Sequence, residues 1–201
     1  AGILRDRMIF NMTPDDFDIV MKVHVYGTFY CTKPAAIVMR QQRYGRIINT
    51  SSSSGLRGNA GQSNYGAAKG AIAAFTRVCA RDLGKYGVTV NCYAPTAATR
   101  MTVSEEMEEA IKARVARGQI TEEQAAAFRP PAPEDNVGIV LYLATDAAAN
   151  INGRVFFANG GSLGLCHEPI PCEKTIYKQG TWTLDELIRI MPGTLASGII
   201  N

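Results

Sequence analysis

A tyrosine and a lysine stand four residues apart in this sequence, at Tyr65 and Lys69 within YGAAK. In a helix, that spacing puts both side chains on one face, one turn apart. A free phenol has a pKa of about 10, so lowering it by three units requires a preference for the phenolate of about 4 kcal/mol. An ammonium about 4 Å away supplies roughly that energy at an effective dielectric of 20. The pair therefore predicts a tyrosine that transfers protons near neutral pH.

The YxxxK spacing is common by chance, so its surroundings decide its meaning. Ser52 lies thirteen residues before Tyr65 and follows RIINT (46–50), an apolar run that predicts a buried strand. Open α/β sheets bind ligands beyond the carboxyl ends of their strands, so Ser52 is placed to hold a substrate oxygen beside the tyrosine. A run of four serines is otherwise an ordinary polar turn. The order strand, serine, YxxxK, then a second strand ending in NCYAP is far rarer.

His24 is a further candidate for the catalytic group. It recurs at helical spacing with apolar residues of a predicted helix, namely Phe17, Val20, Met21 and Thr28. The same pattern describes a histidine buried in a helix core. Both interpretations stay open from the residues alone.

Helices and strands alternate along the chain, and the strands are continuous apolar runs. That pattern predicts an α/β fold, a Rossmann-like doubly wound parallel sheet with helices on both faces. A Gly-rich phosphate-binding turn is missing from the sequence, so we expect the chain to be the C-terminal part of such a fold. We predict helices at about 14–43 (with a break at Gly27), 64–85, 104–128 and 136–145, a loop over 51–61, and strands at 46–50, 88–93 and 154–158.

Composition excludes several classes of function. The 201 residues carry a net charge of +3 without a basic stripe, which argues against nucleic acid. No apolar stretch approaches the roughly 18 residues of a membrane span. Five cysteines without framework spacing indicate reduced thiols of a cytoplasmic protein. CHEPIPC (166–172) could suggest a metal clip, but no second cluster completes a tetrahedral set, so we expect no metal.

The segment Gly45–Pro95, which reads GRIINTSSSSGLRGNAGQSNYGAAKGAIAAFTRVCARDLGKYGVTVNCYAP, closely resembles short-chain dehydrogenases/reductases. The resemblance extends over about residues 1–162. It implies that Ser52 orients a carbonyl, Tyr65 transfers the proton, and Lys69 lowers the tyrosine pKa. It also implies an NAD or NADP cofactor, with NAD favoured, held by Ala1, Gly2, Tyr65, Lys69, Pro95, Thr96, Thr99 and Met101.

Three features depart from the family pattern. His24 replaces the asparagine that is the fourth catalytic residue of the family, where a main-chain carbonyl serves a proton relay. Thr96 replaces the glycine that usually follows Pro95, which affects the placement of Thr99. The Gly-rich cofactor turn of the family, and the acidic or basic residue that determines whether NAD or NADP is used, lie outside this sequence.

Within the family, AGILRDRM, VHVYGTF and APTAATRMT resemble the (3R)-hydroxyacyl-CoA dehydrogenase domain of peroxisomal multifunctional enzymes and its bacterial relatives. The implied substrate is a 3-hydroxyacyl thioester. A 3-oxoacyl-carrier-protein reductase, another ketone reductase of this fold, and an inactive binding or scaffold relative are the alternatives.

We expect a catalytic part at residues 1–166 and a C-terminal arm at 167–201 that packs on the domain or on a neighbouring subunit. The two long helices should form much of a homotetramer interface, as in relatives. The helix that carries Tyr65 also has small residues on several sides, at Gly66, Ala67, Gly70, Ala71, Ala73 and Ala74.

Overall fold

The computed structural model describes residues 2–99, 105–166 and 174–197, and within helices the side chains of 105–108 and 126–128 are excepted. The chain divides into two compact units, residues 1–166 and 167–201. In the second unit the described helix is α8 (Leu184–Ile190), capped by the Thr183 side chain, which accepts the Glu186 backbone N–H. The first predicted cofactor residue, Ala1, and the last, Met101, lie outside the described residues.

The first unit is built on a four-stranded sheet in the order β1 (Gly45–Thr50), β2 (Val88–Pro95), β3 (Val155–Asn159) and β4 (Ser162–Leu165). The first three strands pair in parallel, with Gly45 opposite Val88 and Cys92 opposite Val155. The last strand is antiparallel to β3 and forms a hairpin with it. The parallel sheet was predicted, whereas β4 was not, because Ser162–Leu165 is short and exposed and lacks an apolar run.

Helices surround the sheet in chain order: α1 (Pro14–Met21), α2 (Gly27–Gln42), α3 (Ser53–Arg57), α4 (Ser63–Gly84), α5 (Glu105–Ala116), α6 (Glu122–Phe128) and α7 (Val137–Ala144). Among the described residues of the first unit, short 3₁₀ turns lie before α1, before α7 and after α7, at Ile9–Asn11, Pro133–Asn136 and Asp146–Ala148, and in the second unit Met191–Gly193 follows α8. The predicted helix 104–128 is two helices, because the chain turns at Gly118, which has a positive φ of 66°. The predicted loop after Ser52 contains α3.

The strands β1 and β2 bury side chains on both faces of the sheet, as expected for a doubly wound sheet. On one face, Ile47 and Val90 pack against Ala80 and Leu83 of α4, with Met39 of α2 beside them. On the other, Ile48 and Tyr93 pack with Ile139 and Leu143 of α7. Successive strand residues therefore enter different cores, which fixes the register of β1 and β2.

The first long helix changes its geometry around His24. A π turn at Lys22–Tyr26 joins α1 to α2, so the helix continues where the sequence suggested an interruption at Gly27. Thr13 caps α1 in a capping box with Asp16, and Pro14 occupies the first turn, as predicted. The π turn buries His24 while leaving Tyr26 exposed.

The small residues of α4 have more than one role. Gly66 and Gly70 face the backbone of α3, where a Cβ on either would lie 3.1 Å from the carbonyl oxygen of Ser54 or of Gly55. Ala73 is buried in the core. Ala67 and Ala74 are exposed. The glycines are therefore explained within one chain, and only the exposed alanines support an interface with another.

Candidate active site

Tyr65 and Lys69 lie in the first two turns of α4, as their spacing predicted. The Lys69 ammonium is 5.6 Å from the centroid of the Tyr65 ring. It donates a hydrogen bond to the carbonyl oxygen of Thr50 at 3.0 Å. Because Thr50 is the last residue of β1, this bond holds the lysine at the carboxyl edge of the sheet.

The pKa of Tyr65 departs from the sequence expectation. Burial raises it above the ordinary value of 10.0, a hydrogen bond with Ser52 opposes this, and the Asp6 carboxylate raises it further. Burial also lowers the pKa of the Lys69 ammonium. Desolvation penalises the charged phenolate, so burial favours the protonated phenol of Tyr65, the form that donates a proton.

Ser52 lies at the junction of β1 and α3. It is the N-cap of α3, in extended conformation, and its hydroxyl accepts the backbone N–H of Ser54 at 3.3 Å. The neighbouring Ser51 is buried and donates to the Lys69 carbonyl at 2.8 Å. These contacts place the Ser52 hydroxyl at the carboxyl end of β1 and tie the turn to the helix that carries Tyr65.

The His24 side chain is buried in the π turn and contacts the candidate acid/base directly. Its ring packs edge-on against Tyr65 with 5.2 Å between centroids. Its Nε2 lies 2.9 Å from the Ile3 carbonyl oxygen and 3.3 Å from the Ile3 amide nitrogen. Burial lowers the pKa of His24, which favours the neutral ring, whereas the hydrogen bond to Ile3 opposes this. The His24 ring thus packs against Tyr65 and is itself held by the backbone of Ile3.

The residues predicted to line a nicotinamide lie where β2 ends. Pro95 is the last residue of β2, and Thr96 continues the pairing by donating its N–H to the Ala158 carbonyl at 2.8 Å. Thr99 is exposed, and so is Gly2, which precedes the Ile3 segment held by His24. Pro95, Thr96 and Lys69 are thus brought to the same edge of the sheet, because β1 and β2 are adjacent and parallel.

Several polar residues around this edge were missed from the sequence. Asn136 donates to the Thr96 carbonyl at 2.9 Å and accepts the Gly160 N–H at 3.1 Å, so it fixes the loop after β2. Asn64 is fully buried and donates to the carbonyl oxygens of Arg5 and Asp16 at 2.8 and 3.0 Å. In the sequence, the position of Asn64 next to Tyr65 is the one feature that could have indicated its place at the site.

Among the described residues, no group of three or more His, Cys, Asp or Glu side chains is arranged to hold a metal ion. Of CHEPIPC, only Cys166 belongs to the described part. In that same part of the chain, no helix combines the length and apolar character needed to cross a membrane.

Comparison with known proteins gives consistent matches. The family described as Enoyl-(Acyl carrier protein) reductase matches residues 1–162. The hydroxyacyl-CoA dehydrogenase ChsB1 of Mycobacterium tuberculosis is 39% identical over 196 residues, covering 93% of this chain and 58% of that protein. A 3-oxoacyl-[acyl-carrier-protein] reductase of Synechocystis is 39% identical over 166 residues, covering 80% of this chain and 62% of that protein.

A similar fold is found among solved structures. The crystal structure of a short chain dehydrogenase from Mycobacterium avium superposes with a TM-score of 0.80 at 36% identity, covering 100% of this chain and 64% of that one. The chain therefore spans about three fifths of the length of the relatives it matches.

Proposed function

Because this chain belongs to the short-chain dehydrogenase/reductase family, we propose that it carries the acid/base half of an NAD(P)-dependent oxidoreductase. The enzyme interconverts a secondary alcohol and a ketone. The observation that carries this proposal is the placement of Tyr65 between the Lys69 ammonium, 5.6 Å from its ring centroid, and the Ser52 hydroxyl. Binding or scaffolding alone requires no such set of side chains.

The proton moves through Tyr65 in either direction. When a ketone is reduced, the phenol of Tyr65 gives its proton to the carbonyl oxygen, which Ser52 holds in place. When an alcohol is oxidised, the tyrosine takes the hydroxyl proton as the hydride leaves the carbon. General acid/base groups of this kind are typically worth about 10² to 10⁴-fold in rate.

A bound nicotinamide supplies or accepts the hydride. The residues present fit such a group, because Lys69 has three N–H donors and, among the described contacts, the Thr50 carbonyl takes one of them. The others could hold ribose hydroxyls, Pro95 and Thr96 could line a nicotinamide, and Thr99 could hold its carboxamide. We favour NAD over NADP on the subfamily resemblance.

The substrate we propose is a 3-hydroxyacyl thioester carried on coenzyme A. The match to the mycobacterial hydroxyacyl-CoA dehydrogenase covers 93% of this chain, so it extends beyond residue 166 into the C-terminal arm. The match to the carrier-protein reductase covers only 80%. The carrier-protein substrate is the second candidate, supported by an equal identity of 39%.

We also propose that the protein assembles as a homotetramer through α2 and α4. Large apolar side chains are exposed on these helices, at Phe29, Tyr30, Ile37, Val38 and Val78. Exposed apolar surface of this extent is typical of protein interfaces. The alternative is that residues 167–201 cover this surface.

A cytoplasmic location is supported by the free thiols of Cys31, Cys79, Cys92 and Cys166.

The test uses the purified full-length protein with matched 3-hydroxyacyl and 3-oxoacyl thioesters of coenzyme A and of carrier protein. Absorbance of the reduced nicotinamide is followed with NAD⁺, NADP⁺ and their reduced forms. Turnover of the coenzyme A substrates with a higher kcat/KM supports the proposal. Preference for the carrier-protein substrates selects the second candidate, and cofactor binding without turnover of any of them would indicate an inactive relative.

A further inference from the structure

Gln62 is the centre of a polar network beside the active site. Its amide Nε2 donates to Asp6 Oδ2 at 2.8 Å. Its carbonyl oxygen accepts from Ser54 Oγ at 2.6 Å and from Asn59 Nδ2 at 3.1 Å. A single side chain thus joins the amino-terminal segment, the start of α3 and the loop before α4.

The network reaches the catalytic serine through Ser54. The Ser54 side chain donates to Gln62, while its backbone N–H donates to the Ser52 hydroxyl. Ser54 is 8% exposed, so losing its Gln62 acceptor would leave a buried hydroxyl donor without an acceptor. The direction of the Ser52 hydroxyl therefore depends on the Gln62 carbonyl.

The network is also joined to the turn that carries Tyr65. The Arg7 N–H donates to the Gly61 carbonyl at 2.8 Å. Asn64 donates to the Arg5 carbonyl and accepts the Tyr65 N–H at 2.7 Å. Backbone contacts on both sides of Asp6 thus hold its carboxylate near the first turn of α4.

We propose that Asp6 and Gln62 are positioning residues that set the Ser52 hydroxyl and the charge environment of Tyr65. Gln62 orients the serine turn, and Asp6 both anchors Gln62 and places a negative charge near the phenol. This inference rests on the proposed acid/base role of Tyr65.

Three ionisable groups face Tyr65 from the described elements around it. Lys69 lies one turn along the same helix, His24 packs on the ring from the π turn, and Asp6 approaches from the amino-terminal segment. After burial, which is the largest cause, Asp6 raises the pKa of Tyr65. Arg7 is engaged by Asp16 at 4.0 Å. The Asp6 carboxylate therefore acts in the same direction as burial and favours the protonated phenol, the form that donates a proton.

Two substitutions separate charge from hydrogen bonding. Asp6→Asn keeps an oxygen that accepts the Gln62 N–H but removes the negative charge. Gln62→Glu keeps the oxygen that accepts from Ser54 and Asn59, but it adds a negative charge and removes the N–H that Asp6 accepts. Asp82→Asn is the matched control, since Asp82 lies on the same helix, seventeen residues beyond Tyr65. At 1.5 Å per residue that is about 25 Å, well beyond the Debye length of about 8 Å.

The readout is the ultraviolet titration of the Tyr65 phenolate in the full-length protein. The chain has eight tyrosines, so each titration is referred to the same protein carrying Tyr65→Phe as well, which isolates one phenol. We expect Asp6→Asn to lower the Tyr65 pKa and Gln62→Glu to raise it, because a nearby negative charge disfavours the phenolate. The Asp82→Asn control is expected to leave it unchanged.

Orientation of the serine is tested separately with Gln62→Leu, which removes the acceptor of Ser54. We expect kcat to fall about tenfold with little change in KM for the cofactor, and Gln62→Glu, which keeps the acceptor of Ser54, to lower kcat less. If Gln62→Leu does not fold, the two charge variants still decide the inference through the phenolate titration.

The inference is overturned if Asp6→Asn and Gln62→Glu leave the titration unmoved, or if Asp82→Asn moves it as far. This readout needs no substrate, so its result is independent of the proposed reaction. Full turnover by Tyr65→Phe would overturn the proposed function while the titration result stood.

Discussion

Lys69 is a buried lysine with few partners for its charge. It is 7% exposed, its ammonium contacts the Thr50 carbonyl and the Tyr65 ring, and burial lowers its pKa. An ammonium is costly to bury, so its retention at this place indicates a task beyond stability. Holding a cofactor ribose and assisting Tyr65 is such a task.

Replacing Tyr65 with phenylalanine removes one hydroxyl and keeps the ring that packs on His24. We expect Tyr65→Phe to lower kcat by about 10² to 10⁴-fold, because the proton donor is lost. Cofactor affinity, measured by nicotinamide fluorescence, should stay within about threefold. Retention of more than about a tenth of the wild-type kcat would remove Tyr65 from the proposed role.

Replacing Lys69 with alanine should harm both turnover and cofactor binding, since the lysine has two proposed tasks. Loss of the positive charge disfavours the phenolate, so the pKa of Tyr65 rises further. The limb of the pH–rate profile that reports the tyrosine therefore moves to higher pH. Lys85→Ala, at the exposed end of the same helix, is the control. An unchanged profile in Lys69→Ala would contradict the electrostatic part of the proposal.

The sequence predicted the residues that act along one helix better than those that meet across the chain. Tyr65 and Lys69 were placed correctly because helical periodicity alone relates them. Asp6 and Gln62 are 56 positions apart, and no local pattern relates them. From the sequence, only the effect of the Lys69 charge on the pKa of Tyr65 was considered, because burial, which raises this pKa, becomes visible only in the fold.

At the scale of elements, the contact between α3 and α4 controls the geometry of the site. A Cβ on Gly55 would lie 2.5 Å from both the Gly70 amide nitrogen and the Lys69 carbonyl carbon. The contact is between backbone atoms of the two helices, so a change of side-chain rotamer cannot relieve it. Ser52 begins one helix and Lys69 lies on the other, which makes this contact a constraint on their separation.

We expect Gly55→Ala to destabilise the protein by about 1–3 kcal/mol through overpacking and to lower kcat as well. The matched control is Gly138→Ala in α7, where a Cβ meets nothing within 4 Å. That control should be neutral or slightly stabilising, because alanine favours helix over glycine. Urea unfolding and kcat would be measured for both variants. Equal stability of the two would contradict the close contact of α3 with α4.

The apolar strands and most of the periodic helices were predicted correctly, whereas the break between α5 and α6 and the short elements α3 and β4 were not. The prediction gave β1, β2, β3, α4 and α7 to within two residues. The helix α3 was taken for a loop because SSSSGLRG contains turn-forming residues, and its tertiary contact with Gly66 and Gly70 overrides their preference.

At the scale of the whole molecule, exposed apolar surface on α2 and α4 argues for assembly. Ala74 is exposed near the middle of α4, one turn before Val78, which is 58% exposed. The two positions differ by four residues and therefore share a face. Both of these exposed side chains are apolar, which suits contact with another copy.

We expect the wild-type full-length protein to scatter light as a tetramer at micromolar concentration and Ala74→Arg to scatter as a smaller species. Ala147→Arg adds the same bulk and charge to an exposed 3₁₀ turn and should leave the mass unchanged. A monomeric wild type would exclude the tetramer. If the Ala74→Arg variant is still a tetramer, the contact between subunits lies on another face.

The π turn at Lys22–Tyr26 has a consequence for sequence alignment. A π turn accommodates one more residue than the α-helical turn it replaces. Two hydrogen bonds anchor this region independently: the Asp16 carbonyl of α1 accepts from Asn64, and the His24 ring of the π turn contacts the Ile3 carbonyl. A relative whose helix is α-helical throughout has one residue fewer in this region. When such a relative is aligned with this chain, the residue equivalent to His24 is identified correctly only if a one-residue gap is placed in the relative opposite residues 22–26.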